Sequence, residues 1–168
     1  MNYYDPRYKD GLFNNPHFSK NGPDSIFVEN WKERWEELRD KYKPDIMWFD
    51  GDWSAPVKVW NTKQVVADYY NEARKWDKEV LVNDRLGKVR GERGDFYTQE
   101  YDYGDLGDSL SMHKWESCRS IGGSFGYNKN EGPEDYLTVN ELVDMLVDIV
   151  SKNGNFLLNI GPKADGTI

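Results

Sequence analysis

Residues 42–53 read YKPDIMWFDGDW, an apolar run that ends in acidic residues. The apolar part is typical of a short buried strand. Because side chains alternate between the two faces of a strand, Trp48 and Asp50 share one face while Met47 and Phe49 share the other. A carboxylate beside indole rings is costly unless it is paired or has a chemical task. The stretch therefore predicts a ligand site at the end of a strand.

The composition is that of a globular chain with no general attraction for polyanions. Aromatic residues make up 15% and charged residues 31% of the 168 residues, which is unlike a disordered chain. The net charge of −8, without a clustered basic face, predicts no nucleic-acid partner. Every apolar run is shorter than the ~18 residues of a membrane span, so no membrane partner is predicted either. A neutral ligand fits this charge balance.

Helix and strand patterns alternate along the chain. Residues 1–24 are rich in Asn, Pro, Gly and Tyr and predict a loop-rich segment. Beyond it, the pattern predicts helices over 25–42 and 63–76, a third helix from the capping box at Thr138 to Gly154, and strands over 46–49, 80–83, 96–100, 124–127 and 156–160. Without hairpin signals, this alternation predicts parallel βα units over 25–168 and an α/β fold.

Polar side chains follow the ends of these predicted strands. Asp50 follows the first strand, residues 83–85 (Asn-Asp-Arg) follow the second, Glu100 ends the third and Asn159 lies late in the last. In parallel barrels the functional groups gather where strands end and loops begin. We expect these side chains to line one site.

Two of these residues have the chemistry that glycoside hydrolysis requires. The reaction uses one ionised carboxylate, which attacks or stabilises, and one protonated carboxyl group, which gives its proton to the leaving oxygen. We predict Asp50 as the nucleophile, kept ionised by Arg85 or by backbone amides, because a nearby cation lowers the pKa of a carboxyl group. We predict Glu100 as the acid, because partial desolvation would raise its pKa. The desolvating neighbours would be Tyr97, Tyr101 and Tyr103.

Simpler interpretations compete with each of these roles. Asp50 and Glu100 could both be solvated loop carboxylates. Asp52 lies beyond Gly51, where the strand has ended, which favours a capping or surface role. On the period of the strand only one of Asp84 and Arg85 faces the pocket. We prefer Arg85, with Asn83 on the same face, although an ordinary salt-bridged arginine is the alternative.

Metal and nucleotide chemistry are weaker alternatives. Hard cations take oxygen ligands, so Asp50, Asp84 and Glu100 could form a metal site. The histidines, His17 and His113, are not spaced as a zinc motif and are expected to be structural or exposed. The glycine-rich segment 122–126 lacks the spacing of a dinucleotide or phosphate loop.

Six motifs in sequence order resemble the catalytic domain of glycoside hydrolase family 29, the retaining α-L-fucosidases. The resemblance extends through most of residues 25–168. The motifs are YKPDIMWFDGDW (42–53), VNDR (82–85), YTQEY (97–101), HKWE (113–116), SFGYN (124–128) and NFLLNIGPKADGTI (155–168).

The resemblance implies part of a (β/α)8-like TIM barrel and a double displacement through a covalent fucosyl-enzyme intermediate. It matches Asp50 to the family nucleophile and Glu100 to the acid/base, the roles reached above from chemistry. Trp48, Arg85 and Phe125 match positions that line the sugar site. An apolar wall there would contact the C6 methyl group of fucose. The resemblance implies no metal and no organic cofactor.

The resemblance also implies a barrel that is incomplete at both ends. Family members carry N-terminal barrel strands with sugar-binding histidines, and often a C-terminal β-sandwich. We therefore expect residues 1–168 to be a partial catalytic domain with little activity in isolation. The implied partners are fucosylated glycans, met in an extracellular, periplasmic or lysosomal compartment. A catalytically inactive carbohydrate-binding fragment is the alternative, and linkage preference, transfucosylation and oligomeric state stay open.

Overall fold

The computed structural model of the chain describes residues 17–19, 22–51, 55–87, 94–101 and 110–168. The chain forms two compact units, Met1–Asp95 and Phe96–Ile168. The first unit contains β1 (Phe18–Ser19), β2 (Gly22–Pro23), α1 (Ser25–Tyr42), β3 (Ile46–Met47), α2 (Val57–Trp60), α3 (Thr62–Lys75) and β4 (Leu81–Val82). The second contains β5 (Tyr97–Glu100), β6 (Trp115–Ser120), a 3-10 helix (Pro133–Asp135), α4 (Val139–Ser151) and β7 (Gly154–Asn159).

Helix α1 has the bounds that the sequence predicts, and its ends explain why. The side chain of Asp24 caps the helix by accepting a hydrogen bond from the backbone N–H of Phe27 at 2.9 Å. That hydrogen bond and the side chain of His17 lower the pKa of Asp24. The helix ends at Lys43, whose left-handed conformation (φ 47°) returns its N–H to the carbonyl of Arg39.

The first unit is built on a parallel pair of strands. Ile46 pairs with Leu81 and Met47 with Val82. Met47 and Val82 point into a core packed by α1 and α3, which contains Trp35, Met47, Val65, Tyr69, Ala73, Val80, Val82 and Leu86. Both strands were predicted, but each is two residues long instead of four. Their pairing continues beyond the ladder through the backbone N–H and the side chain of Asn83.

The second unit is a parallel three-stranded sheet in the order β5-β6-β7. Strand β6 is central, and its residues are buried along most of its length. Helix α4 links β6 to β7 and begins at the predicted capping box, in which Thr138 and Glu141 each bond the other's backbone N–H. The parallel pairing confirms the prediction of an α/β fold.

Two further details of the predicted strands and helices are wrong. Residues 124–127 form no strand, and the central position belongs to the unpredicted β6, whose buried polar residues hide its strand character. Helix α4 ends at Ser151 and Gly154 begins β7, because Asn153 makes the reversal at φ 68°. The loop-rich segment predicted for 1–24 lies mostly outside the described residues, because 1–16, 20 and 21 are not among them; its described part contains the antiparallel pair β1 and β2.

None of the described helices is long and apolar enough to cross a lipid bilayer.

Candidate active site

The end of β3 is held by a side chain from the end of β4. Asn83 is fully buried, and its backbone N–H donates to the carbonyl of Met47 at 3.4 Å. Its side-chain Oδ1 accepts from the backbone N–H of Phe49 at 2.9 Å, and Nδ2 donates to the carbonyl of Phe49 at 2.8 Å. The amide of Asn83 therefore continues the pairing of the two strands where the backbone ladder stops.

Arg85 joins the predicted residues of the first unit. Its Nη1 donates to Oδ1 of Asp50 at 2.9 Å, and its guanidinium lies 4.5 Å from the ring centre of Trp48. This geometry combines a charge-assisted hydrogen bond with a cation–π contact. The structure thus brings Trp48, Asp50 and Arg85 together, in agreement with the prediction that Trp48 and Asp50 share a face of the strand.

The ion pair is asymmetric in its exposure to solvent. The side chain of Arg85 is 0% exposed, while that of Asp50 is 54% exposed. Apart from the bond at Oδ1, Asp50 has no hydrogen bond to another residue in the part of the chain that the structure describes. A buried cation therefore binds the carboxylate through one oxygen, while the Asp50 side chain remains open to solvent. This is the arrangement that a carboxylate nucleophile requires.

The other edge of β4 is held by Asp95. Oδ2 of Asp95 accepts from the backbone N–H of Val82 at 2.8 Å and from the hydroxyl of Tyr70 at 2.6 Å. Burial and the hydrogen bond to Asp95 raise the pKa of Tyr70. Gly94, at φ 93°, lies so close to Asn83 that an added Cβ would collide with the Asn83 carbonyl. Both edges of β4 are therefore held directly before Asn83, which bonds Phe49, and Arg85, which bonds Asp50.

Glu100, the predicted acid, ends β5 in the second unit and is exposed. The partial desolvation expected from nearby tyrosines is not found among the described residues, and Tyr103 lies outside them. The next residue, Tyr101, adopts a left-handed conformation (φ 56°) while its N–H bonds the carbonyl of Cys118 at 3.0 Å. Such backbone strain in a non-glycine residue is characteristic of functional sites.

Phe125 is the other predicted site residue of the second unit. Its ring meets the ring of Tyr101 edge to face at a centroid distance of 5.0 Å, and the side chain remains 39% exposed. The amide of Asn159 donates to the backbone carbonyl of Phe125. Tyr101 therefore connects the predicted acid and the predicted aromatic residue within this unit.

Comparison with known proteins identifies the family. Residues 1–168 match the family model described as Alpha-L-fucosidase. The chain belongs to the alpha-L-fucosidase family. It is 44% identical over 134 residues to the plasma alpha-L-fucosidase of Pongo abelii, covering 79% of this chain and 28% of that protein. It is 36% identical over 151 residues to the alpha-L-fucosidase of Dictyostelium discoideum, covering 89% and 32%.

Solved alpha-L-fucosidase structures have the same fold. One alpha-L-fucosidase aligns with a TM-score of 0.76 at 42% identity, over 98% of this chain and 36% of the other. The Thermotoga maritima alpha-fucosidase in complex with a mechanism-based inhibitor aligns with a TM-score of 0.71 at 40% identity, over 93% and 32%. The chain thus spans less than a third of the curated relatives named above. Named members of the family are glycoside hydrolases.

The remaining candidates have other environments. Asp84 is buried, as are its neighbours Asn83 and Arg85, and Asp52 lies outside the described residues. His17 pairs with Asp24 at 2.8 Å, and the ring of His113 packs 5.4 Å from that of Tyr97. Within the described ranges, no three His, Cys, Asp or Glu side chains are grouped to hold a metal ion.

The sequence did not reveal what the amide of Asn83 does. It was expected to face the pocket beside Arg85, but the backbone of Phe49 occupies both ends of its amide. The available signal was a polar residue that can both donate and accept, placed where an apolar strand stops. That signal does not identify a partner 34 residues away.

Proposed function

We propose that the complete gene product is a retaining exo-α-L-fucosidase that removes terminal α-L-fucose from glycans. The observation that carries this proposal is the ion pair between the buried Arg85 and the exposed Asp50, beside the ring of Trp48. Family membership supports the substrate class. The parallel strands support a (β/α)8-like barrel of which residues 1–168 form part of the catalytic domain.

The proposed first step forms an ester between fucose and the enzyme. Oδ2 of Asp50 attacks the anomeric carbon, and the bond from that carbon to the leaving oxygen breaks. Glu100 gives its proton to the leaving oxygen and becomes a carboxylate. In the second step Glu100 takes a proton from water, the water oxygen attacks the anomeric carbon, and the ester bond to Asp50 breaks. Two inversions retain the α configuration.

The proposed binding residues have complementary chemistry. Arg85 orients Asp50 and stabilises its negative charge when the ester breaks. Trp48 and Phe125 offer apolar surfaces to the C6 methyl group and to the less polar face of the sugar ring. The reaction needs no metal or organic cofactor. Because relatives are named plasma and tissue fucosidases, we place the enzyme in an extracellular, periplasmic or lysosomal compartment.

The stereochemical outcome tests the proposal. The complete gene product should hydrolyse 4-nitrophenyl α-L-fucoside, and proton NMR should detect α-L-fucose before mutarotation produces the β anomer. Release of the β anomer as the first product would overturn the retaining mechanism. Absence of turnover would overturn the proposed enzymatic activity.

A variant at Glu100 distinguishes an enzyme from a sugar-binding protein. Glu100→Ala should abolish hydrolysis of a natural fucoside, whose leaving group needs a proton, while fucose binding persists. Addition of a chelator should leave activity unchanged. Unchanged hydrolysis by the variant would remove Glu100 from the acid/base role, and loss of activity with the chelator would favour a metal-dependent enzyme.

A further inference from the structure

The backbone leading to Asp50 receives little support from the sheet. The ladder between β3 and β4 has two residue pairs and ends at the pair of Met47 and Val82. Asp50 lies three residues beyond Met47. Beyond that pair, the side chain of Asn83 contacts the backbone of this segment.

The amide of Asn83 supplies this support at two peptide groups. The backbone N–H of Phe49 belongs to the peptide group that follows Trp48, and its carbonyl belongs to the peptide group that precedes Asp50. Asn83 binds the N–H at 2.9 Å and the carbonyl at 2.8 Å. One amide thus fixes the orientation of both peptide groups from which the side chains of Trp48 and Asp50 extend.

The surroundings of Asn83 leave its amide little freedom to move. The residue is 0% exposed. Gly94 packs against the backbone carbonyl of Asn83, where any Cβ would collide, so the backbone that carries the amide has little room to shift. A buried amide that lost either hydrogen bond would have no water to replace it, so the paired state is strongly favoured.

We propose that Asn83 is a positioning residue for the nucleophile: its amide aims Asp50 without contacting the sugar. This inference rests on the proposed function and extends it. Because a displacement of about 1 Å at a reacting group can cost about 10²-fold in rate, the effect should appear in kcat. Binding of fucose should change little, because both ends of the Asn83 amide are hydrogen-bonded to the backbone of Phe49.

The variant Asn83→Asp tests the proposal in the complete gene product. The introduced carboxylate can still accept from the N–H of Phe49, but it cannot donate to the carbonyl and repels it. At pH 7 we expect kcat for an aryl fucoside to fall about 10²-fold, with KM changed less than about threefold. When the introduced carboxyl is protonated it can donate again. The ratio of variant to wild-type kcat should therefore rise as pH falls through its pKa, which burial raises.

Asn153→Asp is the matched control. Asn153 precedes β7, and its amide also bonds on both ends, donating to the carbonyl of Ser111 at 3.1 Å and accepting from Lys114. The ratio of kcat for Asn153→Asp to kcat for the wild type should stay near one and should not depend on pH. If Asn83→Asp does not fold, Asn83→Ser removes the amide without adding charge, and its kcat should fall at least about tenfold with KM nearly unchanged.

The outcomes separate this inference from the proposed function. Active wild-type enzyme with a pH-dependent loss of kcat confined to Asn83→Asp supports the positioning role. Active wild-type enzyme with a pH-independent ratio, or with equal effects in the Asn83 and Asn153 variants, overturns the positioning role and leaves the function standing. A folded but inactive wild-type enzyme overturns both.

Discussion

The guanidinium of Arg85 is completely buried, yet its Nη1 bonds the exposed carboxylate of Asp50 at 2.9 Å. A buried cation is strongly destabilising without a partner, and Asp50 provides that partner at the surface. Burial therefore fixes the position of the guanidinium, and the guanidinium fixes the direction of the carboxylate. Loss of either partner should therefore lower stability, and under the proposed function it should also lower catalysis.

The shape of the guanidinium matters as well as its charge. Arg85→Lys keeps the charge but loses the planar group over Trp48 and the reach to Oδ1. We expect kcat/KM for an aryl fucoside to fall about 10²-fold, or about 2.7 kcal/mol in transition-state stabilisation.

The chain provides a matched control for this variant on α1. Arg39 bonds Asp40 at 2.6 Å and lies 4.9 Å from the ring centre of Trp35. Arg39→Lys should leave kcat/KM unchanged. Equal losses in the two variants would show that Arg85 acts through general stability alone.

Asn159 is expected to affect substrate binding through Phe125. Asn159→Ala removes the donor to the Phe125 carbonyl and loosens a ring that contacts Tyr101. We expect KM for aryl fucosides to rise about threefold to tenfold, with a smaller change in kcat, because the loss falls on binding of the sugar. Steady-state kinetics test this. A fall in kcat at constant KM would instead place Phe125 in the chemical step.

Packing between α4 and the sheet depends on the absence of a side chain at Gly154. A Cβ there would lie 2.5 Å from Trp115 and 2.8 Å from Ile149. Gly154→Ala should lower the free energy of unfolding by about 1–3 kcal/mol through overpacking. Gly126→Ala is the control, because nothing lies within 4 Å of its added Cβ. Denaturant titration that gave equal stabilities for the two variants would contradict this packing.

Tyr69 makes stability sensitive to alkaline pH. Its hydroxyl donates to the carbonyl of Pro44 at 2.7 Å, and burial raises its pKa from 10.0 to about 12. Because the folded state holds this proton more tightly, the stabilisation is complete below pH 10 and is lost as pH rises toward 12.

Tyr69→Phe should test this titration directly. The variant should lose about 1 kcal/mol at pH 7 with the hydrogen bond, and its stability should decline less steeply above pH 10. Tyr42→Phe, at an exposed tyrosine, should lose less stability than Tyr69→Phe at pH 7. Parallel pH profiles for Tyr69→Phe and the wild type would contradict the buried titration.

Local signals predicted the helices better than the strands. Helix α1 and the start of α4 followed from apolar spacing and caps, which are encoded within a few residues. Strand β6 was missed because Glu116, Ser117 and Ser120 are buried, so the strand has polar residues where an apolar pattern is expected. Their burial accompanies the pairing of β6 with β5 and β7, which local sequence does not reveal.

In the candidate site, too, local sequence signals predicted some residues and missed the role of others. Strand period predicted that Trp48 and Asp50 share a face, and Arg85 was one of two groups expected to keep Asp50 ionised. The guanidinium of Arg85 contacts both residues in the first unit. The amide of Asn83 could not be assigned, because its partner is set by strand register rather than by local sequence. The environment of Glu100 was predicted from neighbouring tyrosines, but neighbours in sequence do not determine exposure at the end of a strand.

Covalent trapping tests the central claim most directly. The complete gene product is incubated with 2-deoxy-2-fluoro-α-L-fucosyl fluoride, whose fluorine at C2 slows breakdown of a fucosyl ester, and is then analysed by intact mass and peptide mapping. We predict one label per chain, on Asp50, and no label on Asp50→Asn. A label on Asp52 or Asp84, or no label on a folded and complete protein, would contradict the assignment of Asp50 as the nucleophile.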